Sequence, residues 1–191
     1  MPRSNSFFQA SVFWALALCL CLLPSIPARS AWGATPFPPR AAFEVGLSPR
    51  GESLNIILKA INESEDSILA AAYSFTSKPI STALLEAHKR GVHVQVVADK
   101  KGNSSRYTAV TFLANQGVPV RLNGNYAIHH HKFMIVDARH VQTGSFNYSA
   151  AAVNKNAENV LVLRDVPELA GIYAQEWERL WNEGEEVKPA Y

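Results

Sequence analysis

Residues 130–147 read HHKFMIVDARHVQTGSFN, and within them His130, Lys132, Asp137, Gly144, Ser145 and Asn147 stand at the spacing H-x-K-x4-D-x6-G-S-x-N. Phosphoryl chemistry uses each of these types. Imidazole attacks or protonates, ammonium neutralises phosphate oxygens, and hydroxyl and amide groups donate hydrogen bonds. Independent identities at roughly one chance in twenty would give the pattern at about one start in ~10^8, so coincidence is a poor source for it. The bland alternative is a strand pair with polar ends. On a strand, residues two apart share a face, so His130 and Lys132 should point together and His129 and His131 away from them. Residues 133–136 are apolar on both faces, as a covered central strand requires, and the link 137–139 is short enough for a hairpin.

Outward from this stretch, strand-like runs at 41–45, 67–75, 92–98 and 118–122 alternate with helical patterns at 53–62, 79–89 and 106–116. Further strand-like runs follow at 131–136, 140–143 and 159–163, and then a helix over 167–183. Gly91 and Gly117 stand where helix C-terminal caps are expected, and Pro79 falls in a first helical turn. This alternation predicts an α/β fold: a mixed, largely parallel sheet with helices on both faces. Residues 160–163 read as a second strand covered on both sides. In the last helix Leu169, Ile172, Tyr173, Trp177, Leu180 and Trp181 recur at helical spacing and read as core. H-x-K occurs once, and no internal repeat is visible.

The pattern resembles the HKD motif of the phospholipase D superfamily, most closely that of small, single-motif, periplasmic, EDTA-resistant bacterial endonucleases. The motif fills residues 130–147, and a weaker likeness of pattern runs from about 43 to about 181. The resemblance implies one phospholipase D-like half per chain, a histidine nucleophile and no metal or other cofactor. It also implies an acid about eleven residues beyond the motif asparagine, a position that Glu158 holds, and a structural rather than catalytic Asp137.

The residues themselves support parts of this. Glu158 opens an otherwise apolar strand, and a carboxylate at a sheet end needs a partner. An imidazole N–H is a good one, since it would fix the tautomer of His130 and leave the other nitrogen free to attack. Lys132, Ser145 and Asn147 would bind phosphate oxygens, while Gly144 would let the backbone turn or approach closely. A turn held by local side-chain bonds is compatible with the same Gly-Ser-x-Asn run. Asp137, at an odd offset from His130, would face the other way on a regular strand. His88, His93 and His140 match no motif role. A metal site is not expected: adjacent histidines of the 129–131 triplet diverge, and no acid or cysteine lies at ligand spacing.

Residues 1–30 have the order of a secretory signal: Arg3, an apolar run at 12–23, Pro24, then small residues with cleavage expected after Ala28 or Ser30. Both cysteines, Cys19 and Cys21, lie in that run, so the mature chain should carry no disulfide and no stable membrane span. A periplasmic or secreted protein is expected, with a proline-rich lead-in at 31–40 and a phosphodiesterase domain at 41–191. The whole chain carries a net +2, and loss of Arg3 and Arg29 brings the mature chain to zero. Overall charge therefore names no partner. Its distribution is uneven: residues 78–155 hold ten Lys or Arg against Glu86, Asp99 and Asp137, a net +7, between acidic flanks. A polyanionic substrate would suit that middle.

Together these features predict a metal-independent phosphodiesterase, with nucleic acid as the favoured substrate and phospholipid head groups as the alternative. A catalytically idle nucleic-acid-binding or metal-binding module is a third reading, opposed by the intact motif. Displacement at phosphorus also needs a proton donor on the leaving-group side, which a second imidazole could supply. With a single H-x-K, the expected arrangement is a homodimer whose two-fold axis passes through a shared active site.

Overall fold

The computed structural model describes residues 33–105 and 108–189. In chain order the elements are β1 (Ala42–Ser48), α1 (Ser53–Asn62), β2 (Ser67–Ala72), α2 (Lys78–Lys89), β3 (His93–Asp99), α3 (Ala109–Asn115) and β4 (Val120–Asn123). They continue as β5 (Lys132–Val136), β6 (His140–Gly144), α4 (Ala150–Asn154), β7 (Glu158–Arg164), α5 (Pro167–Glu183) and β8 (Glu185–Glu186). The strands form one sheet in the order β1-β7-β6-β5-β2-β3-β4-β8. The named elements all lie within one compact unit that begins at Pro36. The expected signal segment, residues 1–30, lies outside the described residues.

A mixed sheet between helices is what the alternation of apolar runs predicted, but its parallel share is smaller than expected. Among the described strands only β2–β3 and β3–β4 are parallel pairs, each joined through a helix. β5 returns beside β2 in the antiparallel sense, and β6, β7 and β1 continue antiparallel from it. For the β5–β6 pair the cause is connection length. Three residues can join β5 to β6 only as a hairpin, since a parallel crossover needs a dozen or more.

The helices divide unequally between the faces. α1 to α4 cover one face, where Ile57, Ile61, Leu84 and Leu113 pack with Ile68, Val94 and Val96. On the other face α5 works alone: Trp177 and Leu180 pack with Ala71, Val97, Phe133 and Ile135, and Trp177 Nε1 donates to the Ala70 carbonyl at 2.9 Å. Its reach ends before the β1–β7 edge. Phe43, Val45 and Leu47, alternate residues of β1, are 70, 53 and 62% exposed. For the same reason Leu161 and Leu163 are only half-buried, whereas β5 is buried throughout, so only one of the two expected covered strands is covered on both sides. Ile172 is likewise exposed, not core as its spacing suggested.

Both expected glycine caps form Schellman motifs. After α2, Gly91 N–H donates to the His88 carbonyl and Val92 N–H to the Ala87 carbonyl; after α3, Gly117 and Val118 repeat the pattern onto Ala114 and Leu113.

Candidate active site

At one end of the sheet the carboxyl ends of β2, β3, β4 and β6 lie beside the amino ends of β5 and β7. Open α/β sheets bind ligands beyond the carboxyl ends of their parallel strands. Lys132 is the first residue of β5 and pairs with Ala72, the last of β2. Gly144 ends β6, and Glu158 opens β7. Three adjacent strands thus deliver motif residues to the same edge.

His130 lies two residues ahead of β5 and is exposed. Its carbonyl accepts a 2.7 Å hydrogen bond from Lys132 Nζ, and its ring centroid is 4.9 Å from that of Tyr73. The Lys132 ammonium also sits 5.3 Å from the Tyr73 ring centroid. Only 6% of Lys132 is exposed, and this burial pulls its pKa below the usual lysine value, an effect the negative charge of Glu158 opposes. A buried cation with donors to spare is suited to an anionic ligand.

Gly144 has φ +146, and a side chain there would fall on the Asn159 carbonyl oxygen. Only glycine fits both the conformation and the approach. The turn at Gly144 leads into Ser145, whose hydroxyl donates to Glu158 Oε2 at 2.6 Å and accepts from Asn159 N–H at 3.1 Å. Asn147 is half-buried, and its Oδ1 has no hydrogen-bond partner among the described residues. Next to it, Tyr148 bridges to Phe75, which lays the 145–148 segment alongside the segment that follows β2.

One expected contact is replaced. The Glu158 carboxylate was expected against an imidazole, but its oxygens accept from Ser145 Oγ and, at 2.9 Å, from Asn156 Nδ2. Among the described residues no carboxylate bonds to the His130 ring. The topology explains why: β6 lies between β5 and β7, so Ser145 meets Glu158 first.

Asp137 stands at the opposite end of the sheet. With Ala138 it takes positive φ, 52° and 51°, in the β5–β6 hairpin, closed by Arg139 N–H on the Val136 carbonyl. Its carboxylate accepts from the backbone N–H groups of Glu65, Asp66 and Ser67 at 2.8 to 3.2 Å, capping the start of β2.

The histidine triplet alternates as expected. His129 and His131 turn away from the site with rings 5.7 Å apart. His129 is 2% exposed with both ring nitrogens unpartnered among the described residues, and burial pushes its pKa down to about 4. His131 Nε2 lies 3.2 Å from Glu176 on α5, an acid that local spacing could not associate with the triplet. No group of three or more described His, Cys, Asp or Glu residues is arranged to hold a metal. The sequence reading also passed over Tyr73, Asp99 and Asn103. Asp99 Oδ2 accepts from His129 N–H at 2.8 Å; Asn103 donates to the Tyr73 carbonyl at 2.6 Å and accepts from Phe75 N–H at 3.0 Å. Their positions at or just beyond the carboxyl ends of β2 and β3 were the available signal.

The family model described as cardiolipin synthase, PLD-like domain, matches residues 57–181. The chain belongs to the phospholipase D superfamily. A solved phospholipase D family member, Nuc from Salmonella typhimurium, is 41% identical with TM-score 0.76, over 78% of this chain and 99% of that one. NucT from Helicobacter pylori is 25% identical with TM-score 0.69, over 77% and 99%. A phospholipase D of Rickettsia conorii is 34% identical over 72% of this chain and 68% of its own length. The mitochondrial cardiolipin hydrolase of Canis lupus familiaris is 34% identical over 79% of this chain and 59% of its own length. With this membership comes the enzyme class: the chain is a phosphodiester hydrolase of the phospholipase D superfamily.

Proposed function

We propose that this phosphodiesterase is metal-independent, works through a phosphohistidine at His130, and acts on nucleic acid. The observation that carries the substrate class is the disposition of its lysines. Within residues 78–155, Lys89 and Lys100 are spent on Glu86 and Glu185, Arg90 and Arg121 on backbone carbonyls, and Arg139 on Asp165. Lys78, Lys101 and Lys155 are exposed and have no side-chain partner among the described residues. Each lies at the His130 end of the sheet: Lys78 opens α2, Lys101 follows β3 and Lys155 precedes β7. Exposed cations around a phosphodiester site suit a polyanion that extends beyond the scissile bond.

In the first step a ring nitrogen of His130 forms a bond to phosphorus as the bond to the leaving oxygen breaks, and that oxygen takes a proton from a second imidazole. In the second step water forms the new P–O bond, the N–P bond breaks, and the water proton passes to that second imidazole. Lys132, Ser145 and Asn147 neutralise or hydrogen-bond the non-bridging oxygens, while Glu158 orients Ser145. The second imidazole is His130 of the partner subunit in a two-fold dimer. Two features support this: the chain carries a single H-x-K, and the apolar β1 face of Phe43, Val45 and Leu47 is uncovered in the monomer. Residues 1–30 support export to the periplasm or beyond the cell. Among the described residues no helix is long and apolar enough to cross a membrane.

Phospholipid head groups are the second reading, favoured by the names of the phospholipase D and cardiolipin hydrolase relatives. The test is one assay of purified protein in excess EDTA on plasmid DNA, RNA and phosphatidylcholine vesicles in parallel. Cleavage of nucleic acid with vesicles untouched is expected. Lipid turnover alone would reverse the substrate assignment, and activity only with added divalent ion would overturn the metal-free mechanism.

A further inference from the structure

An attacking imidazole must be held, because a misplacement of about 1 Å can cost about 100-fold in rate. His130 is exposed and precedes the first ladder position of β5, so strand pairing does not hold it. Nor does an acid, since Glu158 is engaged by Ser145 and Asn156. Among the described residues the aromatic ring against that of His130 is Tyr73, at 4.9 Å between centroids and 55° between planes.

Tyr73 is itself firmly placed. It follows Ala72, the cross-strand partner of Lys132, at the end of the buried strand β2. Its carbonyl accepts from Asn103 Nδ2, and Asn103, 3% exposed, also donates to the Asp99 carbonyl at 2.9 Å. Asp99 in turn accepts from His129 N–H, the residue before the nucleophile. The loop is closed by Lys132, which faces the Tyr73 ring and donates to the His130 carbonyl. The Tyr73 ring thus meets both the imidazole of His130 and the ammonium of Lys132, and the segment that carries it is anchored to the buried side chains of Asn103 and Asp99. Attack by one ring nitrogen leaves positive charge on the imidazole, and an aromatic neighbour favours such charge.

We infer that Tyr73 is the positioning residue of this site: its ring sets the imidazole of His130 and the ammonium of Lys132 for attack on phosphorus. This rests on His130 as nucleophile and deepens that reading. No bond to Tyr73 forms or breaks.

The test compares Tyr73→Phe, Tyr73→Leu and His130→Ala with wild type on bis(p-nitrophenyl) phosphate, a diester with neither base nor lipid. Steady-state kinetics and acid-quenched phosphoenzyme are measured, with circular dichroism to verify folding. Tyr73→Phe keeps the ring and should stay within about twofold of wild type. Tyr73→Leu should lose about 100-fold in kcat and in the rate of phosphoenzyme formation with little change in KM. If Tyr73→Leu folds poorly, Tyr73→Met fills similar space without a ring and is read the same way. Wild-type kcat in the folded ringless variant would overturn the inference. A Phe variant as impaired as Leu, which would point to the hydroxyl, or a loss confined to KM, which would make the ring a substrate contact, would also overturn it. Phosphoenzyme surviving in His130→Ala would remove the nucleophile assignment itself, so the two failures are distinguishable.

Discussion

The two acidic residues of interest are used differently, and substitution should separate them. Asp137 caps three backbone N–H groups far from the site, so Asp137→Ala should destabilise the fold by about 2 kcal/mol, with part of the loss made up by water at this half-exposed position. Urea unfolding should show the loss while specific activity of the folded protein holds; a stable but inactive variant would contradict this. Glu158→Gln should instead lower kcat, since an amide beside Ser145 and Lys132 no longer supplies negative charge. Near wild-type turnover would reduce Glu158 to a surface residue. His129 sets a pH dependence of stability. Its folded pKa is about 4 against an ordinary 6.5, so below pH 6.5 the unfolded chain binds a proton that the folded chain refuses. Stability should therefore fall by about 3 kcal/mol as pH drops from about 6.5 to about 4. His129→Leu should flatten that slope in pH-dependent urea midpoints; an unchanged slope would assign the acid sensitivity elsewhere.

Elements with a strong period were legible from the residues alone. The helices at 53–62 and 167–183 begin and end where the spacing placed them, because an apolar stripe at helical period leaves little freedom. β8 was not legible: Glu185 and Glu186 carry no apolar signal and are a strand only because they pair with β4. α4 spans five residues, too few to show a period. Neighbour relations were harder still, since an apolar run such as 133–136 declares burial but not that β2 lies antiparallel beside it. The same limit explains the site. Chemistry-bearing residues close in sequence, His130 to Asn147, could be found by spacing, whereas Tyr73 and Asn103 reach the site only through the sheet and Glu176 meets His131 only through α5. Gly144→Ala tests how strictly the β6 terminus is built: a methyl would meet the Asn159 carbonyl at a φ that alanine resists. A loss of thermal stability and of activity is expected, and a variant with wild-type melting would show that this turn can rearrange.

At the scale of the whole molecule, the proposed dimer predicts that activity depends on protein concentration. Specific activity should fall on dilution in step with dimer mass measured by light scattering, and a fully active monomer would refute the shared site. Each exposed lysine near the site should contribute separately: Lys101→Ala should weaken DNA binding and reduce the slope of log affinity against log salt by about one. The most direct test of the chemistry is rapid acid quench of the purified protein with a phosphorus-labelled diester in excess EDTA, alongside His130→Ala. A labelled phosphohistidine that forms and decays at the rate of turnover in wild type, and is absent from His130→Ala, is the expected result. Turnover in EDTA without a labelled enzyme, or label that persists in His130→Ala, would contradict it.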